Sequence, residues 1–304
     1  MIVVGGEALV DLVIGADGRV EAKLGGGPFN AARTIGRLGG AVSFLGAISR
    51  DRFGTLLHER LLADGVDDRL VQFTEFPTTL AAAELDEAGA ATYRFYFAET
   101  AAPSLHPVPM PDHVSLVHVG TLGMVLEPMA TTLEGIVSEI GDHVVVMLDP
   151  NCRPRVTPDH RAYVARLQRM LLRADVVKVS ADDLDFIASE DHAAGLRLLL
   201  DGAASVVLHT DGGRAVHIHW KGHDIEVGVP SVDVVDTIGA GDAFGGAFAA
   251  WWDQAGLRRT DLVDRDAVRA AVTAAVEVAA ISCTRAGAQP PRRDELGDRW
   301  SPQQ

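Results

Sequence analysis

Short apolar runs of strand length alternate along this chain with longer stretches of helical period. Residues 2–4, 42–48, 116–119, 144–148, 176–179 and 206–208 place apolar side chains on nearly successive positions, as strands covered on both faces do. Between them, residues 31–38, 54–63, 129–140, 163–172 and 196–200 repeat their apolar positions at helical spacing. Strand and helix in alternation predict an α/β fold, a mostly parallel central sheet flanked by helices.

Two stretches break the rhythm. Residues 10–23 and 79–97 read as β, with alternation through Tyr93-Arg94-Phe95-Tyr96-Phe97 and turn chemistry at 16–18 and 86–89. They predict a small antiparallel sheet standing off the main body, suited to a lid or a dimer contact. No internal repeat or Gly/Ser linker divides the 304 residues, so the expectation is one domain over 1–304 with a lid at about 10–24 and 77–100.

Charge and residue usage narrow the function classes. With 42 acidic against 27 basic residues the formal charge is −15, the wrong sign for binding a polynucleotide. Lys23, Lys178 and Lys221 are the only lysines, and none lies in a G-x-x-x-x-G-K-[ST] segment, which excludes that phosphate loop. Two cysteines are too few for a disulfide framework and suit a reducing, cytoplasmic setting. The N-terminus lacks the basic segment of a signal peptide, and the longest run of apolar and small residues, 243–252, is about half of what a membrane span needs.

Three segments carry candidate chemistry. In Asp236-Thr237-Ile238-Gly239-Ala240-Gly241-Asp242-Ala243-Phe244 a β-branched run ends in a Gly-rich turn that opens an apolar helix. Amides at such a helix start make an anion site. Asp242 would repel a phosphate there, which makes sense if it takes a proton from an attacking hydroxyl; the alternative is that it only caps the helix. Gly25-Gly26-Gly27-Pro28-Phe29-Asn30 repeats the design, with Asn30 able to donate to and accept from a hydroxylated ligand. Asp149-Pro150-Asn151-Cys152-Arg153 follows a strand, where ligands gather in open α/β sheets, and Arg153 suits a phosphate or carboxylate. Ser180 with Asp182 and Asp183, and Thr210 with Gly212 and Gly213, stand just past two more strands; helix capping and a plain turn account for each alone. His217, His219 and His223 read as a polar sheet face, lacking a fourth metal ligand.

Taken together, Gly25-Gly26-x-x-x-Asn30 and Asp236-Thr237-x-Gly239-Ala240-Gly241-Asp242 resemble the two signature segments of the ribokinase-like (PfkB) carbohydrate kinases. The likeness spans nearly the whole chain. Gly6-Glu7-Ala8-Leu9-Val10-Asp11, the Gly-Gly-Gly-Pro-Phe-Asn turn and Asp149-Pro150-Asn151-Cys152-Arg153 are most similar to fructokinase-like members, with 2-keto-3-deoxygluconate kinases close behind. The resemblance implies ATP-dependent phosphorylation of a sugar hydroxymethyl group. Asp242 would be the base, and the amides of Gly239, Ala240 and Gly241 the anion hole. Asp11, Gly26, Gly27 and Asn30 would bind the sugar, and Arg153 would face the phosphoryl or sugar end. Ser180, Thr210, Gly212, Gly239 and Gly241 would line the ATP site, with Asp183 reaching Mg²⁺ through water and Asp236 beside the Gly287 loop framing a monovalent cation, K⁺. Many relatives pair through the lid as homodimers. Ribokinase and nucleoside kinase activities, and a non-catalytic sugar sensor, are the alternatives. The chain departs from the family at Asp183 where Glu is usual, in the compressed Thr210-Asp211-Gly212-Gly213 turn, at Val276 where many relatives place Asn near adenine, and at Glu99 where fructokinase-like relatives often show a small or polar residue.

Overall fold

Strand residues that are apolar at successive positions have two faces to bury, and the computed structural model gives them two cores. It describes residues 1–86, 91–189 and 191–302. In chain order these form β1 (Ile2–Gly5), β2 (Leu9–Ile14), β3 (Val20–Gly25), α1 (Gly27–Arg37), β4 (Val42–Ser49), α2 (Arg52–Ala63), β5 (Val71–Thr74), β6 (Leu80–Leu85) and β7 (Ala91–Tyr96). Then come β8 (Leu116–Gly120), α3 (Met129–Glu139), β9 (Val145–Asp149), α4 (His160–Leu171), β10 (Val176–Ser180), α5 (Ala181–Ala188) and α6 (His192–Asp201). The last are β11 (Val206–Asp211), β12 (Ala215–Trp220), β13 (His223–Gly228), α7 (Ala240–Gln254), α8 (Arg265–Cys283) and the one-turn α9 (Arg293–Leu296).

Among the described residues the larger sheet has nine strands in the order β13-β12-β11-β10-β9-β8-β1-β4-β5. It is parallel from β5 to β11 and antiparallel at the β11–β12–β13 edge. Ile2 and Val4 face a core shared with Ala247 and Phe248 of α7 and Val272 of α8. Val3, between them, faces the opposite core with Leu133 of α3 and Leu167 of α4. Both sides of one strand are thus dry, which is why its sequence does not alternate.

The second sheet has four strands among the described residues, β3-β2-β6-β7. Its two hairpins are antiparallel within themselves, but β2 and β6 join in parallel, Val10 opposite Leu80. The all-antiparallel expectation is corrected here. The chain leaves β3 through α1, β4, α2 and β5 before returning at β6, and so long a crossover can bring the strand back in the same direction. The expected 86–89 turn lies outside the described residues apart from Asp86. Among the described residues no helix is long and apolar enough to cross a membrane.

Helices α1 and α7 pack closely because no side chain separates them. A Cβ on Gly246 would lie 2.6 Å from the Ala31 carbonyl oxygen and 2.9 Å from Thr34 Cβ. Close packing brings both helix N-termini to one edge of the large sheet, beside the C-terminal ends of β1, β8, β9 and β10, the place where open α/β sheets bind ligands.

Candidate active site

Helix α7 starts without a side-chain cap. Its N-cap is Gly239, at φ +75°, a left-handed conformation that glycine adopts without strain. Ala288 also leaves no room there, since a Cβ on Gly239 would stand 2.5 Å from Ala288 Cβ. Asp242 is therefore not the cap: it lies inside the first turn, and its Oδ2 accepts a hydrogen bond from Asn30 Nδ2 at 3.0 Å. Of the amides expected to form an anion hole, that of Ala240 turns back to the Thr237 carbonyl, 3.2 Å away. The amides of Gly241 and Asp242 belong to the first turn, where a helix supplies no acceptor.

Helix α1 likewise has a glycine, Gly26, as N-cap and no side-chain cap. The amide of Gly27 donates instead to Glu7 Oε1, 3.1 Å away in the turn after β1. Glu7 is buried, and its Oε2 has no partner. Burial pushes its carboxyl up to about 8, with the negative charge of Asp242 adding to the effect. Burial likewise raises Asp242 to about 6, against the hydrogen bond from Asn30, with Asp149 raising it further. Asp11, on β2 opposite Lys23 of β3, is raised to about 6 by burial against the pull of Arg153 and Lys23. Arg153 is exposed, and its charge favours the ionised forms of Glu7, Asp11, Asp149 and Asp242 alike. The structure thus brings Asp11, Asn30, Arg153 and Asp242 into one electrostatic unit.

Beneath it lies a buried ion pair. Lys178 Nζ donates to both Asp149 oxygens at 2.9 Å and stands 3.2 Å from where a Cβ on Gly241 would be. Although burial opposes it, Asp149 and Asp183 hold the Lys178 ammonium above its usual range. At the ends of β8 and β9, Thr121 and Asn151 adopt φ +53° and +39°, and Asn151 Nδ2 donates to Thr121 Oγ1 at 3.4 Å. Non-glycine residues reach that region only where the surrounding structure holds them there. Glu7, Thr121 and Lys178 were not singled out from the sequence. For Lys178 a signal exists, since it is one of three lysines and interrupts a Val-rich strand.

Asp183 closes a capping box at the start of α5. Its Oδ2 accepts from the amide and hydroxyl of Ser180 at 2.8 and 2.7 Å, and its Oδ1 from the Cys152 amide at 2.5 Å. Ser180 and Thr210 are register partners on β10 and β11, so the two segments expected to meet ATP are neighbours. Gly212 lies in the β11–β12 turn, which the Arg214 amide closes on the Asp211 carbonyl. Asp236 Oδ1 accepts from the Ile238 amide at 3.0 Å and Oδ2 from the Gly287 amide at 2.8 Å. Burial works against these bonds, yet they hold its carboxyl below the ordinary range. Val276 is buried in the core around α8. His217 and His219 pair across the strands with Glu226 and Asp224, and among the described residues no group of three or more His, Cys, Asp or Glu can hold a metal ion.

The family model described as pfkB family carbohydrate kinase matches residues 1–295. A fructokinase of Rhizobium leguminosarum bv. trifolii is 34% identical over 253 residues, which cover 80% of this chain and 77% of that protein. A fructokinase of Escherichia coli is 29% identical over 300 residues, 96% of each chain. Among solved structures, the ATP-bound fructokinase of Xylella fastidiosa superposes with a TM-score of 0.90 at 28% identity, over 98% of this chain and 97% of the other. The Vibrio cholerae O395 fructokinase double mutant with fructose, ADP and potassium ion bound gives 0.86 at 25% identity, over 99% and 98%.

Proposed function

Because the chain belongs to the pfkB family of carbohydrate kinases, we propose that it transfers the γ-phosphoryl group of ATP to a hydroxymethyl group of fructose. The observation that carries this is the Asn30–Asp242 hydrogen bond at an uncapped helix start, which puts a base and an anion site within one helical turn.

In this reading Asp11, Asn30 and the Gly26–Gly27 backbone bind sugar hydroxyls and turn the reacting one toward Asp242. A carboxyl raised to about 6 is still largely ionised at neutral pH, and it is a stronger base than an ordinary aspartate. The hydroxyl proton passes to Asp242. The sugar oxygen bonds to the γ-phosphorus as the bond to the bridging oxygen of ADP breaks, and ADP leaves. The first-turn amides of α7 and the Arg153 guanidinium face the charge on the transferred group, and positioning with charge stabilisation is what phosphoryl transfer needs. Ser180, Thr210 and Gly212 line the nucleotide, with Gly239 and Gly241 at its phosphates.

Mg²⁺ bound with ATP neutralises phosphate charge. The described residues offer it no cluster of their own, so it fits this site as a companion of the phosphates. Asp183, with both oxygens already accepting hydrogen bonds, is left a contact through water. The Asp236 carboxylate accepts from the Ile238 and Gly287 amides and has acceptor capacity beyond them, which suits a hard monovalent cation such as K⁺ beside the 287 loop. Val20 and Tyr96, more than half exposed on the small sheet, mark the face where a second copy would pair. A cytoplasmic site of action goes with ATP as donor and with two free cysteines.

A coupled ADP-release assay with fructose, 2-keto-3-deoxygluconate, ribose and adenosine tests the reading. Fructose should give the highest kcat/KM, and EDTA should abolish turnover. Full turnover in EDTA, or adenosine exceeding every sugar, refutes it.

A further inference from the structure

Asn30 can hold Asp242 only if its amide faces the right way, because one end donates and the other accepts. The residue that decides this lies one turn further along α1. Arg33 is 3% exposed, and its guanidinium is locked on several sides. Its Nε donates to Asp64 Oδ2 at 2.8 Å, and it lies 5.4 Å from the centre of the Phe29 ring. One terminal nitrogen reaches the Ala288 carbonyl at 3.1 Å and Asn30 Oδ1 at 3.5 Å. Asp64 is itself fixed, accepting also from Arg37 at 2.9 Å and Arg292 at 3.4 Å.

A guanidinium has only donors. Turning the Asn30 amide over would set its NH₂ against that guanidinium and its oxygen against the Asp242 carboxylate, two repulsive contacts for two attractive ones. Asn30 Oδ1 is therefore directed to Arg33, and Nδ2 to Asp242. The same Arg33 nitrogen holds Ala288, whose side chain fills the space that a Cβ on Gly239 would need. We infer that Arg33 is a positioning residue for phosphoryl transfer: it sets the polarity of the Asn30 amide, and through Asn30 the orientation of Asp242, while tying the segment around Ala288 against the start of α7. This inference rests on the kinase reading.

A double-mutant cycle tests it. Arg33→Lys keeps a cation for Asp64 but gives up the rigid fork that serves three acceptors at once. With fructose and ATP, Arg33→Lys should lower kcat by about 10- to 100-fold, the scale of a misplaced catalytic group, with the KM for ATP nearly unchanged. The acid limb of the kcat–pH profile should move to higher pH, because Asp242 loses a hydrogen bond that favours its ionised form. In an Asn30→Ala background the same change should cost at least about 5-fold less in kcat, since the route through Asn30 is already gone and only the tie to Ala288 remains. Arg33→Met with Asp64→Asn, which removes donor and buried counter-charge together, is read in the same cycle should the lysine variant not fold. Equal losses in both backgrounds, or an unmoved acid limb, overturn the inference. A wild-type protein that releases no ADP with any sugar overturns the kinase reading instead.

Discussion

Replacing Asp242 by Asn separates its chemistry from its cost to the fold. Asn keeps an oxygen that can accept from Asn30 Nδ2, and it removes both the proposed base and a negative charge set near Asp149. Loss of a positioned base costs about 10²- to 10⁴-fold in kcat. The first-turn amides of α7 remain, so nucleotide affinity should be nearly normal. Stability should rise. Taking the carboxyl from 3.8 to about 6 penalises the ionised form in the fold by up to about 3 kcal/mol, and the partial opening of the site to solvent reduces this to about 1–3 kcal/mol. The native state binds the proton more tightly than the unfolded chain, so the penalty grows as pH rises from about 4 to 6 and is complete above that. At about 2 °C per kcal/mol for a chain of this size, Asp242→Asn should melt about 2–6 °C above wild type at pH 7.5, with the gap roughly halved at pH 5. Thermal melts at the two pH values, nucleotide titration and steady-state kinetics read all three quantities. A variant that melts early while keeping its activity per folded molecule would refute the reasoning, since Asp242 would then be a structural residue.

Glu7→Gln keeps the acceptor for the Gly27 amide and removes a carboxyl raised from 4.5 to about 8; its melting temperature should match wild type near pH 4, exceed it increasingly toward pH 8 and stay a constant interval above beyond that. Parallel melting curves over the whole range would show that burial does not disturb Glu7. Lys178→Met leaves the Asp149 carboxylate buried without its partner and should cost about 3–5 kcal/mol in urea unfolding at pH 7, most of it recovered when Asp149→Leu is added. An unchanged midpoint for the single variant would mean that the pair is not ionised. Asp11→Asn should raise the KM for fructose while leaving the KM for ATP alone, and the reverse pattern in initial-rate kinetics would move Asp11 out of the sugar site.

The large sheet was legible because runs such as 2–4 and 176–179 have no polar face to show, and that is how strands dry on both sides read. The hairpin at β2–β3 was legible from its turn, and the strands of β6–β7 from alternation. Their parallel union was not, because pairing between segments more than fifty residues apart leaves no local period. Within the site, the Gly-rich turns announced the starts of α1 and α7. The role of Asp242 as something other than a cap rests on a contact with Asn30, 212 residues away, which spacing alone does not encode. Glu7 was hidden for a related reason: its carboxyl caps a helix twenty residues downstream, and capping motifs are sought at the helix itself.

The crossing of α1 and α7 acts as a gauge. Gly246 lies one turn beyond Asp242, and it rests on Ala31 and Thr34, the residue after Asn30 and the one a turn further along α1. The gap between the Asn30 and Asp242 side chains is thus calibrated where neither of them sits, by the width of a hydrogen atom on Gly246. A single methyl there would spread the two helix starts like a shim, leaving every functional group chemically intact and out of reach of its partner. The tolerance of the cleft is consequently set at the least reactive residue near it.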